Sequence, residues 1–277
     1  MDDLETKIIE DLDKSGFASE MRSIKKFNQK NWNCTGNFGF FDRDEQILRE
    51  GDLTASNNIS KTIAPLKDVS CFFQIVGEVK KSAKPWVVFK ETIKKPSVLS
   101  FSQIRIDAFN NLIHHENLPC QTPKFAKYIH RYSLLDKLDW LAYGLHESFK
   151  RPDQPSRWHS ACIKVCKGAE HVLSSHIELA QVKKKHEAFA NNISFIFVKP
   201  IVILDGLLFS AELDENSATK IEQIKYAMMN FEFQTKNYRR LSYRIDLVNI
   251  DDLESYIDLM DRRQKNIFDG ILKEANL

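Results

Sequence analysis

Residues 48–55 read Leu48-Arg49-Glu50-Gly51-Asp52-Leu53-Thr54-Ala55, and residues 71–80 read Cys71-Phe72-Phe73-Gln74-Ile75-Val76-Gly77-Glu78-Val79-Lys80. Both segments carry the marks of strands. In the first, a period of two sets Glu50, Asp52 and Thr54 on one face. The second opens with a continuous apolar run of the kind that is buried on both faces of a sheet. A carboxylate in the middle of a β-prone segment is costly to bury unless it has a partner. Glu78 and Lys80, two residues apart at the end of the second segment, point the same way. Two strands that each present an acid, one with a lysine beside it, hold the groups that metal-assisted phosphodiester hydrolysis needs. Mg²⁺ takes oxygen ligands, usually one or two carboxylates with water and substrate phosphate. The lysine positions or helps deprotonate the attacking water, or offsets the charge that develops on the phosphate.

Upstream, Ile8, Ile9 and Leu12 form one helical stripe, with Gly16 as a stop, and predict a first helix that buries this stripe. Glu5 sits at the centre of the stripe, which makes it a candidate for an additional ligand or outer acid. A second helical or irregular stretch leads through Met21 and Phe27 to Trp32, followed by a strand at Phe38–Phe41 and another around Ile47–Ser56. From about Phe101 to Ala190 the pattern reads as helical, with turn signals at Leu118-Pro119 and before Trp158. There Cys162, Val165, Cys166, Ala169, Val172 and Leu173 have the spacing of a buried helical face. Residues 193–213 return to strands, and Asp205-Gly206 between two apolar runs predicts a hairpin. Residues 242–248 give one more strand. Asp251 with Glu254 resembles a capping box ahead of a final helix through Tyr256, Leu259 and Ile267. The plan is α/β, with a sheet built from both ends of the chain. It divides into residues 1–118 carrying the acidic motif, a helical insertion over 119–190, and residues 191–277 completing the core.

The chain has 277 residues, enough for a core that needs no staples, and 40 Lys plus Arg stand against 38 Asp plus Glu. A formal charge of +2 excludes a globally basic nucleic-acid coat, so a polyanion must be met by a local patch. Five scattered cysteines do not form a disulfide framework. With an acidic start that lacks the features of a signal peptide and no apolar run near ~18–20 residues, a cytoplasmic, non-membrane setting is expected.

The ordered set of Glu5 on a helix, Trp32 before a strand, Arg49-Glu50-Gly51-Asp52, Glu78-Val79-Lys80, then Lys81-Ser82 and Pro85-Trp86 resembles the PD-(D/E)xK nuclease superfamily. Within it, the closer resemblance is to restriction-endonuclease-like proteins of prokaryotic DNA-degrading and defence systems. The resemblance covers roughly the first 95 residues, and the strands after Asn192 would complete the family's sheet. It implies a mixed sheet flanked by helices and a divalent-metal-dependent DNA endonuclease. Asp52 and Glu78 would hold Mg²⁺ or Mn²⁺, the Val79 carbonyl would join them, Lys80 would serve catalysis, and Glu5 would match the acid that some members carry on the first helix. Gly51 and Gly77 depart from the pattern, because a large apolar residue is commoner just before each acid, and glycine there gives no packing.

Lys80, Lys81, Lys84, Lys90, Lys94 and Lys95 follow the motif with Trp86 and Phe89 among them and Glu91 as the one acid. Lys81, Lys84 and Lys90 are the candidate contacts to a phosphate backbone, weighed against a solvated lysine-rich strand edge; Trp86 reads as core. Lys183–Lys185 read as an exposed helix end, and His114-His115 are assigned no role. His159, Cys162 and Cys166 recur near one helical face, but zinc sites usually draw four ligands from separate turns. The insertion is the place for target choice, a homodimer contact or docking of a defence-system partner protein. The rival reading, of a different class, is a non-catalytic DNA- or protein-binding module on the same fold.

Overall fold

The structure, a computed structural model, describes residues 3–63, 67–92, 140–151, 153–184, 193–239 and 242–274. Lys94, Lys95, His114-His115 and the boundaries at 118/119 and 190/191 lie outside these residues, as do Lys185 and the side chains of Lys183 and Lys184. The elements are α1 (Asp3–Ser15), α2 (Phe17–Gln29), β1 (Asn33–Asp42), β2 (Ile47–Ile63), β3 (Lys67–Lys81) and β4 (Trp86–Thr92), then β5 (Trp140–Glu147) and α3 (Arg157–Lys184). They continue with β6 (Ile193–Asp205), β7 (Leu208–Leu213), β8 (Thr219–Gln223), β9 (Tyr226–Glu232), β10 (Ser242–Asn249), a 3₁₀ turn (Ile250–Asp252) and α4 (Leu253–Glu274).

The strands form one mixed sheet in the order β1-β2-β3-β6-β10-β9-β5-β4-β7-β8. β6 lies at its heart, parallel to both β3 and β10. A parallel strand covered on both faces must be apolar on both, and Ile201, Val202, Ile203 and Leu204 are all fully buried. Alternate residues feed two cores. Ile75 and Val79 of β3 join Phe27 of α2 and Tyr256, Leu259 and Met260 of α4 on one face. Val76 of β3 joins Cys162, Val165, Cys166 and Ala169 of α3 on the other. The sheet therefore lies between α2 and α4 on one side and α3 on the other, and the α/β reading stands.

Several local expectations are corrected. Asp205-Gly206 does not close a hairpin. β6 has both edges occupied, so the chain crosses over, and β7 pairs instead with β4 and β8. β3 makes the same crossing into β4, and the two segments bend side by side. The Ser82 N–H donates to the Asp205 carbonyl at 2.9 Å, and the Trp86 N–H to the Leu207 carbonyl at 2.9 Å. A Cβ on Gly206 would lie 2.4 Å from the Ser82 carbonyl oxygen, so the close approach of two backbones requires glycine there. The block read as helical contains a strand, β5, held between β4 and β9. The long helix after Trp158 is present, with Cys162, Val165, Cys166, Ala169, Val172 and Leu173 buried as expected. The cap ahead of α4 is Asn249, whose side chain accepts from the Asp251 N–H at the start of the 3₁₀ turn. Finally, α1 buries none of its residues, and Ile8, Ile9 and Leu12 are 49%, 50% and 41% exposed, so the stripe that singled out Glu5 is not a buried face.

Candidate active site

The β2–β3 ladder runs from Ile63↔Lys67 to Leu53↔Gly77 and stops there. Beyond it β2 continues against β1 and β3 against β6. At this fork the Asp52 carboxylate accepts the Val79 N–H at 2.7 Å, which satisfies a main-chain donor that the ladder no longer serves. Gly51 and Gly77 flank the fork. A Cβ on Gly51 would fall 2.0 Å from the Phe38 ring, and one on Gly77 would fall 2.7 Å from Leu53 Cδ1. Each glycine therefore lies under the side chain of its cross-strand partner, Phe38 over Gly51 and Leu53 over Gly77. The packing that glycine lacks is supplied from across the strand, which keeps the acids on well-packed backbone.

Glu78 shares the β3 face of Val76 and looks toward α3. It is 2% exposed. Its Oε1 accepts from Lys80 Nζ and, at 2.8 Å, from Lys164 Nζ of α3, while its buried Oε2 has no hydrogen-bond partner among the described residues. Lys164 also donates to Asp52 Oδ1 at 3.1 Å, and Lys80 Nζ lies 3.9 Å from Asp52 Oδ2. Asp52, Glu78 and Lys80 are thus brought together as the sequence spacing requires, and Lys164 bridges the two carboxylates.

Burial pushes the Glu78 carboxyl above the ordinary glutamate value, and Asp52 adds to the rise although Lys80 and Lys164 oppose it. Burial alone would lower the Lys164 ammonium; the Glu78 and Asp52 carboxylates overcome this and hold it above the usual lysine value. On α2, Glu20 is also pushed up, first by burial and then by the charges of Asp52 and Glu78, which puts this helical acid within electrostatic reach of the site.

Three residues in and around this site, Glu20, Lys164 and Lys167, are not among those the sequence singles out. Glu20 is spaced with the buried Ser23 and Phe27 on one face of α2, so the criterion applied to Glu5 finds its mark one helix later. Glu5 itself is exposed on α1. Lys164 and Lys167 are lysines three residues apart beside the buried face of α3; that interruption was a signal, but nothing in the spacing names their partners. Lys167 is 7% exposed and binds Asp42 through both carboxylate oxygens, at 2.9 and 2.8 Å, with Asp44 at 3.1 Å.

The three candidate phosphate contacts are each engaged within the chain. Lys81 Nζ donates to the Asp13 carbonyl at 2.7 Å, and Lys84 Nζ to the Phe149 carbonyl at 2.8 Å. Lys90 pairs with Glu222 at 3.2 Å and lies over the Trp140 ring. Trp86 is fully buried, as its core reading requires. Cys162 and Cys166 are buried within α3, and burial pushes the Cys162 thiol up, while His159 is exposed and rests edge-on against Trp158 and Phe231.

Among the described residues no group of three or more His, Cys, Asp or Glu side chains is placed to hold a metal by itself. Mg²⁺ does not require one, since it commonly takes one or two carboxylates and completes its shell with water and phosphate. The donor set fits on two counts: a cation already bridges Asp52 and Glu78, and the buried Glu78 Oε2 is left without a partner. No family model, no curated protein and no solved structure matches this chain.

Proposed function

We propose that the protein is a divalent-metal-dependent nuclease that hydrolyses DNA phosphodiester bonds, an endonuclease of the PD-(D/E)xK kind working in a prokaryotic defence or restriction setting in the cytoplasm. The observation that carries the proposal is the meeting of Asp52, Glu78 and Lys80 where the β2–β3 ladder ends, with one buried carboxylate oxygen unsatisfied among the described residues. Asp52 and Glu78 would hold Mg²⁺ or Mn²⁺, and the Val79 carbonyl is the third ligand that the family resemblance implies. The bound cation supplies a Lewis acid and a water activated at neutral pH. Asp52 is kept in place by the Val79 N–H and Glu78 by its burial, so both are oriented before any ligand arrives. Lys80, whose ammonium lies against Glu78, would orient the water or offset charge on the phosphate. Glu20, with its raised affinity for a proton, suits a supporting acid–base role from α2.

The choice of DNA rests on the family resemblance; a homodimer or a defence-system protein as partner would dock through the insertion between the two sheet-forming parts of the chain. No helix among the described residues is long and apolar enough to cross a membrane. The test is plasmid cleavage over a titration of Mg²⁺ and Mn²⁺. Asp52→Asn and Lys80→Ala should each reduce cutting at least ~100-fold while circular dichroism shows the fold intact. Cleavage by both variants at the wild-type rate overturns the proposal.

One observation favours a second reading. Lys164 neutralises the two carboxylates, as it would in a protein whose site is purely structural. A non-catalytic binding module predicts salt-sensitive DNA or protein binding with no metal requirement and no cleavage under any divalent ion.

A further inference from the structure

We propose that the Lys164 ammonium is a built-in competitor for the divalent cation: it occupies the seat between Asp52 and Glu78, and metal enters only by exchanging with it. The inference rests on the nuclease reading and concerns the regulation of that same site. Three observations carry it. Lys164 Nζ lies 2.8 Å from Glu78 Oε1 and 3.1 Å from Asp52 Oδ1, touching both carboxylates at once. Glu78 keeps its second oxygen buried and without a partner among the described residues, so the lysine satisfies only one of its two oxygens. And Lys164 reaches the site from α3, 86 residues beyond Glu78 in sequence, on a different element from both acids.

The difference between the two lysines is the core of the argument. Lys80 stands on the same strand as Glu78, two residues on, and donates to Glu78 Oε1 but not to Asp52, from which it is 3.9 Å away. Lys164 is the group that links the two acids. A monovalent ammonium on a flexible stem can withdraw, because 32% of its side chain is exposed and solvent is at hand to take the charge. Its helix stays in place, since Lys167, one turn on, is fixed to Asp42 and Asp44. Exchange therefore moves one side chain and leaves α3 where it is.

The consequence is quantitative. Where a binding-competent state is only a fraction of the population, apparent affinity falls by that fraction. A seat filled by Lys164 about nine-tenths of the time weakens metal binding about tenfold. Calorimetric titration of Mn²⁺ into the full chain, without nucleic acid, reads this directly. Lys164→Met should bind Mn²⁺ about tenfold more tightly than wild type, Lys164→Arg should stay near wild type because it keeps the charge, and Asp52→Asn should lose binding. Lys164→Gln gives the same comparison if the methionine variant does not fold. If wild type binds Mn²⁺ and both Lys164→Met and Lys164→Gln bind it equally or more weakly, the exchange is refuted while the metal site stands. If neither wild type nor a charge-removing variant binds Mn²⁺, the exchange and the nuclease reading fall together.

Discussion

Lys167→Met offers the sharpest test of how α3 is held over the sheet. Asp42 and Lys167 are 3% and 7% exposed, and the ammonium spans both carboxylate oxygens and also meets Asp44. Removing one partner of a buried pair costs about 3–5 kcal/mol, because it strands the other charge. Here Asp42 Oδ1 would still accept the N–H groups of Asp44 and Glu45, at 3.0 and 3.4 Å, which points to the lower end, about 3 kcal/mol. In a domain of this size that is a fall of roughly 6–10 °C in Tm. Urea unfolding should show a lower midpoint at unchanged slope. Adding Asp42→Asn to Lys167→Met removes both charges, so the double variant should be about 2 kcal/mol more stable than additivity predicts. A loss below about 1 kcal/mol for Lys167→Met, or additivity within about 0.5 kcal/mol, refutes the reasoning.

The same pair fixes the pH dependence. Burial pushes Asp42 up, but Lys167 and the two N–H groups more than reverse it, so its folded value lies below that of an ordinary aspartate. The unfolded chain then binds the proton first as pH falls. The stabilisation is complete above the unfolded value and is lost as pH drops through the folded one. Burial lowers Lys167, but Asp42 and Asp44 reverse it, so its share is complete below the unfolded lysine value and is lost as pH rises through a higher one. The deficit of Lys167→Met should be flat through neutral pH and shrink below about pH 4.

Two further outcomes follow from packing. Gly206→Ala sets a Cβ 2.4 Å from a backbone carbonyl that cannot swing aside, and should cost at least ~2 kcal/mol in urea unfolding; a change within about 0.5 kcal/mol would show that the paired crossings are not tight. Burial holds the Cys34 thiol up at about 12 and raises Cys71 and Cys162, and Cys166 is buried too. A disulfide reagent at pH 8 should therefore meet at most one fast thiol in the native protein, Cys120 lying outside the described residues, and all five in guanidinium. Two or more fast native thiols would contradict the burial.

What the sequence disclosed and what it hid divide along a physical line. The acids of β2 and β3, the buried face of α3 and the core position of Trp86 rest on local period and composition, and they were legible. β5 was not. Its Trp-Leu-Ala-Tyr-Gly-Leu-His-Glu has no clean alternation, and its conformation is set by the open edges of β4 and β9. The Asp-Gly signal at 205–206 failed for a related reason, since the central strand it follows had no free edge to pair with. The α1 residues Ile8, Ile9 and Leu12 do share a face yet stay exposed, because period records which residues share a face and is silent on what covers it. Lys164 lies beyond any local rule, with its partners 112 and 86 residues away.

Two buried carboxylates in this molecule are satisfied in opposite ways. Asp42 has both oxygens engaged by Lys167 and a further pair of N–H groups, and its proton affinity falls despite burial. Glu78 has two lysines at one oxygen and none at the other, and its proton affinity rises despite them. Selection for stability alone would remove such a group, because an apolar side chain of similar volume avoids the desolvation cost. Local rules are broken at sites where binding or chemistry uses the broken rule. The Glu78 oxygen that has no partner among the described residues, at a carboxylate set beside Lys80 and Lys164 where a ladder ends, is a departure of that kind, and under the proposed metal-dependent reading it is the oxygen left for a stronger cation.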